Sequence, residues 1–187
     1  MNDWYEQVAI TQGWLMEPEA RLLYRLASNL PPGSVIVEIG SYHGKSTLAL
    51  CFGAQVSSST VYAIDPHEHY IDEMADTVQF NRIDNQSFLK NMAKAGVGDI
   101  LKVINLSSDD LLPAWRTPID LLWIDGRHNQ RSINADTKNY GAYVKPDGYM
   151  LLHDSNWGHV KKRVSELAGA GWIEQERAGT VSVLRFR

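Results

Sequence analysis

From Glu17 to Leu30 the apolar positions recur at spacings of three and four: Ala20, Leu23, Leu26, Ala27 and Leu30. That period predicts an amphipathic helix. Pro31-Pro32-Gly33 ends it in a turn, and beyond this point the pattern changes. Short apolar, β-branched runs predict five strands, over Val35–Ile39, Thr60–Asp65, Leu101–Asn105, Ile119–Asp125 and Tyr149–His153. Helices are expected between and after them: Lys45–Ala54, a broken helical region from Ile71 to about Ala95, Ser132–Val144, and Val160–Ala168. Pro146-Asp147-Gly148 supplies the turn before the fifth strand. Gly171–Gln175 and Val181–Phe186, with Glu176–Thr180 between them, predict a terminal hairpin. Strand–helix alternation implies parallel strands joined by right-handed crossovers, with helices on both faces. The expected fold is a doubly wound α/β architecture, Rossmann-like, with a seven-stranded, mostly parallel sheet and a C-terminal antiparallel hairpin. No linker or repeat divides it, so one domain is expected over 1–187, with an N-terminal helical segment at 1–30 and the core at 31–187.

Composition narrows the partners. The 187 residues carry 18 basic and 22 acidic side chains, a formal net charge of −4. An acidic balance argues against a dedicated nucleic-acid binder, which carries a basic stripe. No apolar run approaches the ~20 residues that cross a bilayer, and Met1-Asn2-Asp3-Trp4 lacks the pattern of a signal peptide. A cytoplasmic protein with no membrane association is therefore expected. Cys51, the single cysteine, sits within Leu48–Phe52 and reads as a buried small hydrophobe.

In doubly wound sheets ligands bind beyond the carboxyl ends of the strands, which directs attention to the residues that end each strand. The first ends in Glu38-Ile39-Gly40-Ser41-Tyr42-His43-Gly44, followed by Lys45-Ser46-Thr47. Gly40 and Gly44 let the backbone approach a ligand or simply make a tight turn, and Ser46 in the next helix's first turn suits an anion. Glu38, an acid inside an apolar strand, needs a partner, which a positively charged ligand group would supply. The tract is not the dinucleotide fingerprint, which needs glycine at Tyr42, nor a P-loop, which needs glycine at Ile39. Asp65 ends the second strand, where an acid accepts from ribose hydroxyls or caps a turn before Pro66. Ser107-Ser108-Asp109-Asp110 forms an N-cap cluster after the third strand. Asp125 closes the fourth strand with His128 three residues on, and His153-Asp154 closes the fifth. Adjacent strands would bring these groups to one edge of the cleft, where carboxylates and an imidazole suit a divalent cation. Asp154 as a helix cap and Asp125 as a loop stabiliser are the structural alternatives.

The spacing Glu-x-Gly-x-x-x-Gly resembles the S-adenosylmethionine loop of class I methyltransferases. The fuller tract Glu-x-Gly-x-Tyr-x-Gly-x-Ser is similar to the catechol-type O-methyltransferase branch. That resemblance implies a cofactor site at Glu38, Gly40, Ser41, Tyr42, Gly44 and Ser46, with Asp65 on the ribose, Ser108 or Asp109 at the adenine, and Asp125 bordering the cofactor. It further implies a divalent cation such as Mg2+ on Asp125, His153 and Asp154, and His128 as general base. Methyltransferases acting on natural-product sugars share the Asp-x-x-His pattern. His153 departs from the acid usual in the family. The implied activity is methyl transfer from S-adenosylmethionine to a hydroxyl of a small molecule, with no nucleic acid involved. A nucleotide-cofactor oxidoreductase and a non-catalytic cofactor-binding module are the alternatives.

The remaining candidates have plainer readings. His67 and His69 are expected as a polar rim near the adenosine, His43 as a lining group, and His159 with Lys161, Lys162 and Arg163 as a solvated face. Trp4, Tyr5, Trp14 and Met16 are too many large apolar groups for a free tail. They are expected to pad the sheet, make a homodimer contact, or fold over the cleft as an acceptor wall.

Overall fold

Seven strands share one sheet in the computed structural model, which describes residues 4–67, 70–71, 79–80 and 82–186. They are β1 (Val35–Ile39), β2 (Thr60–Ile64), β3 (Leu101–Ile104), β4 (Ile119–Ile124), β5 (Val144–Leu152), β6 (Trp172–Ala178) and β7 (Val181–Phe186). Their spatial order is β3-β2-β1-β4-β5-β7-β6. Strands β1 to β5 pair in parallel, and β7 runs antiparallel to both β5 and β6. The expected doubly wound, Rossmann-like topology with a C-terminal antiparallel hairpin is thus the observed one. The chain builds outward from β1 to β3 and then returns to place β4 on β1's other side. This reversal opens a crevice beyond the carboxyl ends of β1 and β4.

The helices are α1 (Trp4–Ile10), α2 (Glu17–Ser28), α3 (Lys45–Ser57), α4 (Arg82–Ala95), α5 (Ser108–Leu111), α6 (Gln130–Asn139) and α7 (Gly158–Ala168). The pleat sends alternate side chains to opposite layers. Ile36, Leu121, Trp123, Leu151 and Val183 pack with Leu23 of α2 and Leu48 and Leu50 of α3. Val37, Ile39, Leu122, Ile124 and Leu152 pack on the other face with Ile133 of α6 and Val160 and Val164 of α7. This parity decides the site, because a residue two places past a core position shares its face.

Some expected boundaries move. Ile71 is not helical: Tyr70–Ile71 pairs antiparallel with Gln79–Phe80, and α4 starts at Arg82. Aromatic and β-branched residues there favour a strand; positions 72–78, also within the expected helix, lie outside the described residues. The helix expected to reach Val144 ends at Asn139, and β5 begins at Val144. Pro146-Asp147-Gly148 does not precede β5 but interrupts its pairing, the register jumping from Ile119↔Val144 to Leu121↔Tyr149. Asp147 there takes a φ of 65°, so the turn chemistry is expressed as a bulge. The terminal loop contracts to Gly179-Thr180, because β6 pairs out to Ala178 opposite Val181. Among the described residues no helix is long and apolar enough to cross a membrane.

Candidate functional site

Glu38 shares the face of Ile36, and so points at the first turn of α3. It is fully buried, and the hydroxyls of Ser46 and Thr47 donate to its two carboxyl oxygens. Burial pushes its pKa up to about 8, against the opposing effect of those hydrogen bonds. The carboxyl is therefore mostly protonated at neutral pH. Its partner lies inside the protein, not on a ligand cation as the sequence suggested, and the Ser46 hydroxyl is engaged there rather than free for an anion. Glu38→Gln is expected to change stability little, since hydroxyls rotate to accept as well as donate. Glu38→Ala strands two buried hydroxyls, at ~1–3 kcal/mol each. Urea unfolding of both variants checks this, and equal losses would show that the pair does not depend on hydrogen bonding.

Gly40 takes φ 88°, and a Cβ built on it would lie 2.4 Å from the Asp125 carbonyl oxygen. Only glycine lets the β1 loop pass this close to the end of β4. Gly44 opens α3 at φ 87°. Asp65, beyond β2, organises the same loop. Its Oδ2 accepts from the backbone N–H groups of Ser41 at 2.7 Å and Tyr42 at 3.0 Å, and its Oδ1 from His67 N–H at 2.8 Å. A carboxylate offers about four acceptor positions, so one remains on Oδ1 for a ligand hydroxyl. The paired ribose contact expected from the sequence is not available with the loop in this arrangement.

Ser41 and His43 of the loop are buried, and Tyr42 is partly so. Tyr42, at φ 47°, stacks on His43 with ring centroids 3.9 Å apart. Its hydroxyl accepts from Gln12 Nε2 at 3.1 Å. Buried His43 meets Asp84 at 2.8 Å. His67 is no polar rim: it is buried against Phe88, and burial lowers its pKa. His69 lies outside the described residues. Ser107 caps α5 through Asp110 N–H, Ser108 Oγ donates to Asp136, and Asp109 is exposed at the β3 end.

The β4 and β5 ends converge as their adjacency requires. Backbone pairing continues past both strands, Asp125 N–H to Ile39 O at 2.9 Å and His153 N–H to Ile124 O at 3.1 Å. His153 Nδ1 is 2.8 Å from Asp125 Oδ1. His128 sits over them, its Nε2 3.6 Å from Asp125 Oδ1 and its Nδ1 3.7 Å from Asp154 Oδ2. His128 Nε2 is buried and has no hydrogen-bond partner among the described residues. Asp154 holds φ 50°, a left-handed conformation that aims its carboxylate back at the two imidazoles. It does not cap α7 with its side chain, since Trp157 occupies the N-cap position.

The sequence reading missed Glu19. His153 lies two places beyond Leu151 and shares its face, toward α2. Its Nε2 there meets Glu19 Oε2 at 3.3 Å. Glu19 is fully buried and also accepts from Met16 N–H at 2.8 Å, Thr180 N–H at 2.8 Å and Thr180 Oγ1 at 2.9 Å. One signal was legible: Glu19 stands at the third position of its helix, where a glutamate reaches back to the N-cap amide. Nothing local announced the contact with His153. Burial disfavours charge on both partners, but their mutual hydrogen bond and the neighbouring contacts prevail. The His153 pKa rises to about 10 and the Glu19 pKa falls to about 2.

Ligand atoms of Asp125, His128 and His153 lie within 4.8 Å of one another, a span one cation can bridge. The donor chemistry of the expected trio is nonetheless incomplete. An imidazole ligates through a bare nitrogen, whereas both nitrogens of His153 face carboxylate oxygens. A cation on His153 would therefore have to displace one of its two carboxylate contacts, Asp125 at 2.8 Å or Glu19 at 3.3 Å.

Residues 37–155 match the family described as "Methyltransferase domain". The chain belongs to that family. Solved structures of similar fold include the O-methyltransferase TomG from Streptomyces achromogenes, involved in tomaymycin synthesis and in complex with SAM. It is 16% identical over 98% of this chain and 86% of that one, with a TM-score of 0.69. An O-methyltransferase from Bacillus cereus in complex with SAH is 16% identical, over 100% and 92% of the two chains, with a TM-score of 0.68. SAH-bound PaMTH1 of Podospora anserina is 15% identical over 98% and 86%, with a TM-score of 0.69. In this methyltransferase the matched segment opens within β1, just ahead of the glycine loop, and closes just past Asp154, so it contains every strand end described above.

Proposed function

We propose that this methyltransferase moves the methyl group of S-adenosylmethionine to a hydroxyl oxygen of a small molecule, with His128 as the proton acceptor. The observation that carries the reading is His128 itself: a buried Nε2 with no hydrogen-bond partner among the described residues, in the loop beyond β4 and flanked by two carboxylates. The similar O-methyltransferases that bind SAM or SAH support the choice of donor.

The cofactor supplies an electrophilic methyl on a sulfonium. The chain supplies the cradle: the Gly40 loop, the remaining acceptor position of Asp65, and exposed Asp109 at the β3 end. An attacking hydroxyl must shed its proton, and His128 Nε2 is placed to take it. Each ring nitrogen lies beside a carboxylate, Nε2 3.6 Å from Asp125 and Nδ1 3.7 Å from Asp154. The positive charge gained on His128 is met by Asp125 and Asp154. A flat acceptor finds a wall in half-exposed Trp157, whose ring meets His128 edge-on at 5.5 Å. Trp14 and Met16 are likewise exposed, Trp14 near Tyr42 and Met16 beside the Gly179 turn. Trp4, by contrast, stacks on Tyr24 of α2 and pads the helix layer. Trp4 thus serves as padding, and the exposed Trp14 and Met16 are the N-terminal groups left to border an acceptor. The two carboxylates make a phosphate-rich acceptor unfavourable.

Metal assistance is a second reading, favoured by the 4.8 Å grouping. Two measurements test the scheme. Calorimetric titration with S-adenosylhomocysteine is expected to show binding at one site without added metal. Methylation of a panel of phenols and methyl glycosides is expected to survive excess chelator. Absence of cofactor binding sinks the scheme, and loss of turnover in chelator selects the metal reading.

A further inference from the structure

The helix that precedes the methyltransferase core contributes a residue to the reaction centre. Glu19 leaves α2, crosses to the β5 end and meets His153, whose other nitrogen meets Asp125. Asp125 in turn lies 3.6 Å from His128 Nε2. Four residues from three separate segments form one line of alternating acid and imidazole: Glu19, His153, Asp125, His128.

A purely structural role for Glu19 would leave His153 unexplained. The helix cap needs only the Met16 contact, and the hairpin turn needs only Thr180. A carboxylate serving those two alone could stop short of β5. Instead it fixes the direction of a ring that has little other polar support: among the described residues, the nearer oxygen of Asp154 is 3.8 Å from His153 Nδ1. With Nε2 anchored, Nδ1 can only point at Asp125 Oδ1. That contact holds the carboxylate under His128.

The geometry points to Glu19 as a positioning residue for methyl transfer, acting through His153 to set the place of Asp125 beside His128. The seating of the N-terminal segment and the environment of the proton acceptor then form one unit. Displacing the start of α2 would alter His128 without touching it. The assignment of a catalytic consequence rests on the reading of His128 as base; the coupling itself does not.

The coupling can be read without cofactor or acceptor, by urea unfolding of the full chain at fixed pH in a double-mutant cycle of Glu19→Gln and Asp125→Asn. Because His153 bridges the two carboxylates, the unfolding constant of the double variant is expected to differ at least about twofold from the value the single variants predict by addition. In a His153→Ala background the same two substitutions are expected to add, because the link is already cut. Leu23→Ala, buried in the same helix, weakens α2 without touching His153 and is expected to add with Asp125→Asn. The positioning role is read as a fall in kcat for Glu19→Gln at unchanged affinity for S-adenosylhomocysteine, with no such fall for Leu23→Ala. Additivity in the wild-type background, the same non-additivity without His153, or an unchanged kcat in Glu19→Gln would overturn the proposal. Loss of turnover in His128→Ala tests the functional reading separately, so each can fail alone.

Discussion

Replacing His128 by alanine is expected to lower turnover by roughly 10²–10⁴-fold, the usual contribution of a positioned general base. Affinity for S-adenosylhomocysteine should stay close to wild type, since no contact of the Gly40 loop or Asp65 involves the His128 ring. The residual rate should climb with pH, because a more ionised hydroxyl needs less help in losing its proton. A phenolic acceptor would show this rise nearer neutrality than an alcohol would. The comparison requires kcat and KM separately. A fall in kcat at constant cofactor affinity identifies proton removal, whereas a rise in KM alone would identify His128 as part of the acceptor wall. Full turnover in the variant would end the case for a base at this position.

The second large effect concerns stability. His153→Leu removes one partner from a buried carboxylate, and such a change costs about 3–5 kcal/mol. Glu19 would keep its Met16 and Thr180 donors, which places the loss at the lower end. The wild-type pH dependence follows from the two shifts. The His153 pKa is raised from 6.5 to about 10, so its contribution is complete below 6.5 and disappears as pH rises through 10. The Glu19 pKa is lowered from 4.5 to about 2, so its contribution is complete above 4.5 and disappears as pH falls through 2. Glu38, raised from 4.5 to about 8, adds to the alkaline decline, because its folded form resists ionisation. Urea unfolding between pH 5 and 10 is expected to show a gap between wild type and His153→Leu that is widest at the acid end and narrows with rising pH. A gap that stayed constant would mean that His153 contributes by packing and not by charge.

Much of this was legible along the chain. The apolar runs located all seven strands of the sheet, because buried parallel strands need continuous β-branched and apolar sequence. The alternation of those runs with helical periods dictated the doubly wound topology, and with it the level at which the site lies. Asp65, Asp125, His128, His153 and Asp154 were identifiable as strand-end residues for that reason. Small breaks in pattern, such as Glu38 inside an apolar strand, marked positions that required a partner.

What each of those side chains does was settled by packing between segments far apart in sequence. Glu38 found its partners in Ser46 and Thr47, because the pleat turned it toward α3. Asp65 bound the loop amides, because the Gly40 turn folds back over β2. His153 met Glu19, 134 positions away, because Leu151 and His153 share the face on which α2 lies. Sequence pattern records which face of an element is buried, since burial selects residue type. It does not record which polar group on the facing element comes within 3 Å, since that depends on the docking of two helices and a hairpin turn. For this methyltransferase the sequence therefore determined the fold and the strand ends at which Asp65, Asp125, His128 and His153 lie, and the tertiary structure alone decided that Glu19 of the N-terminal helix meets His153 there.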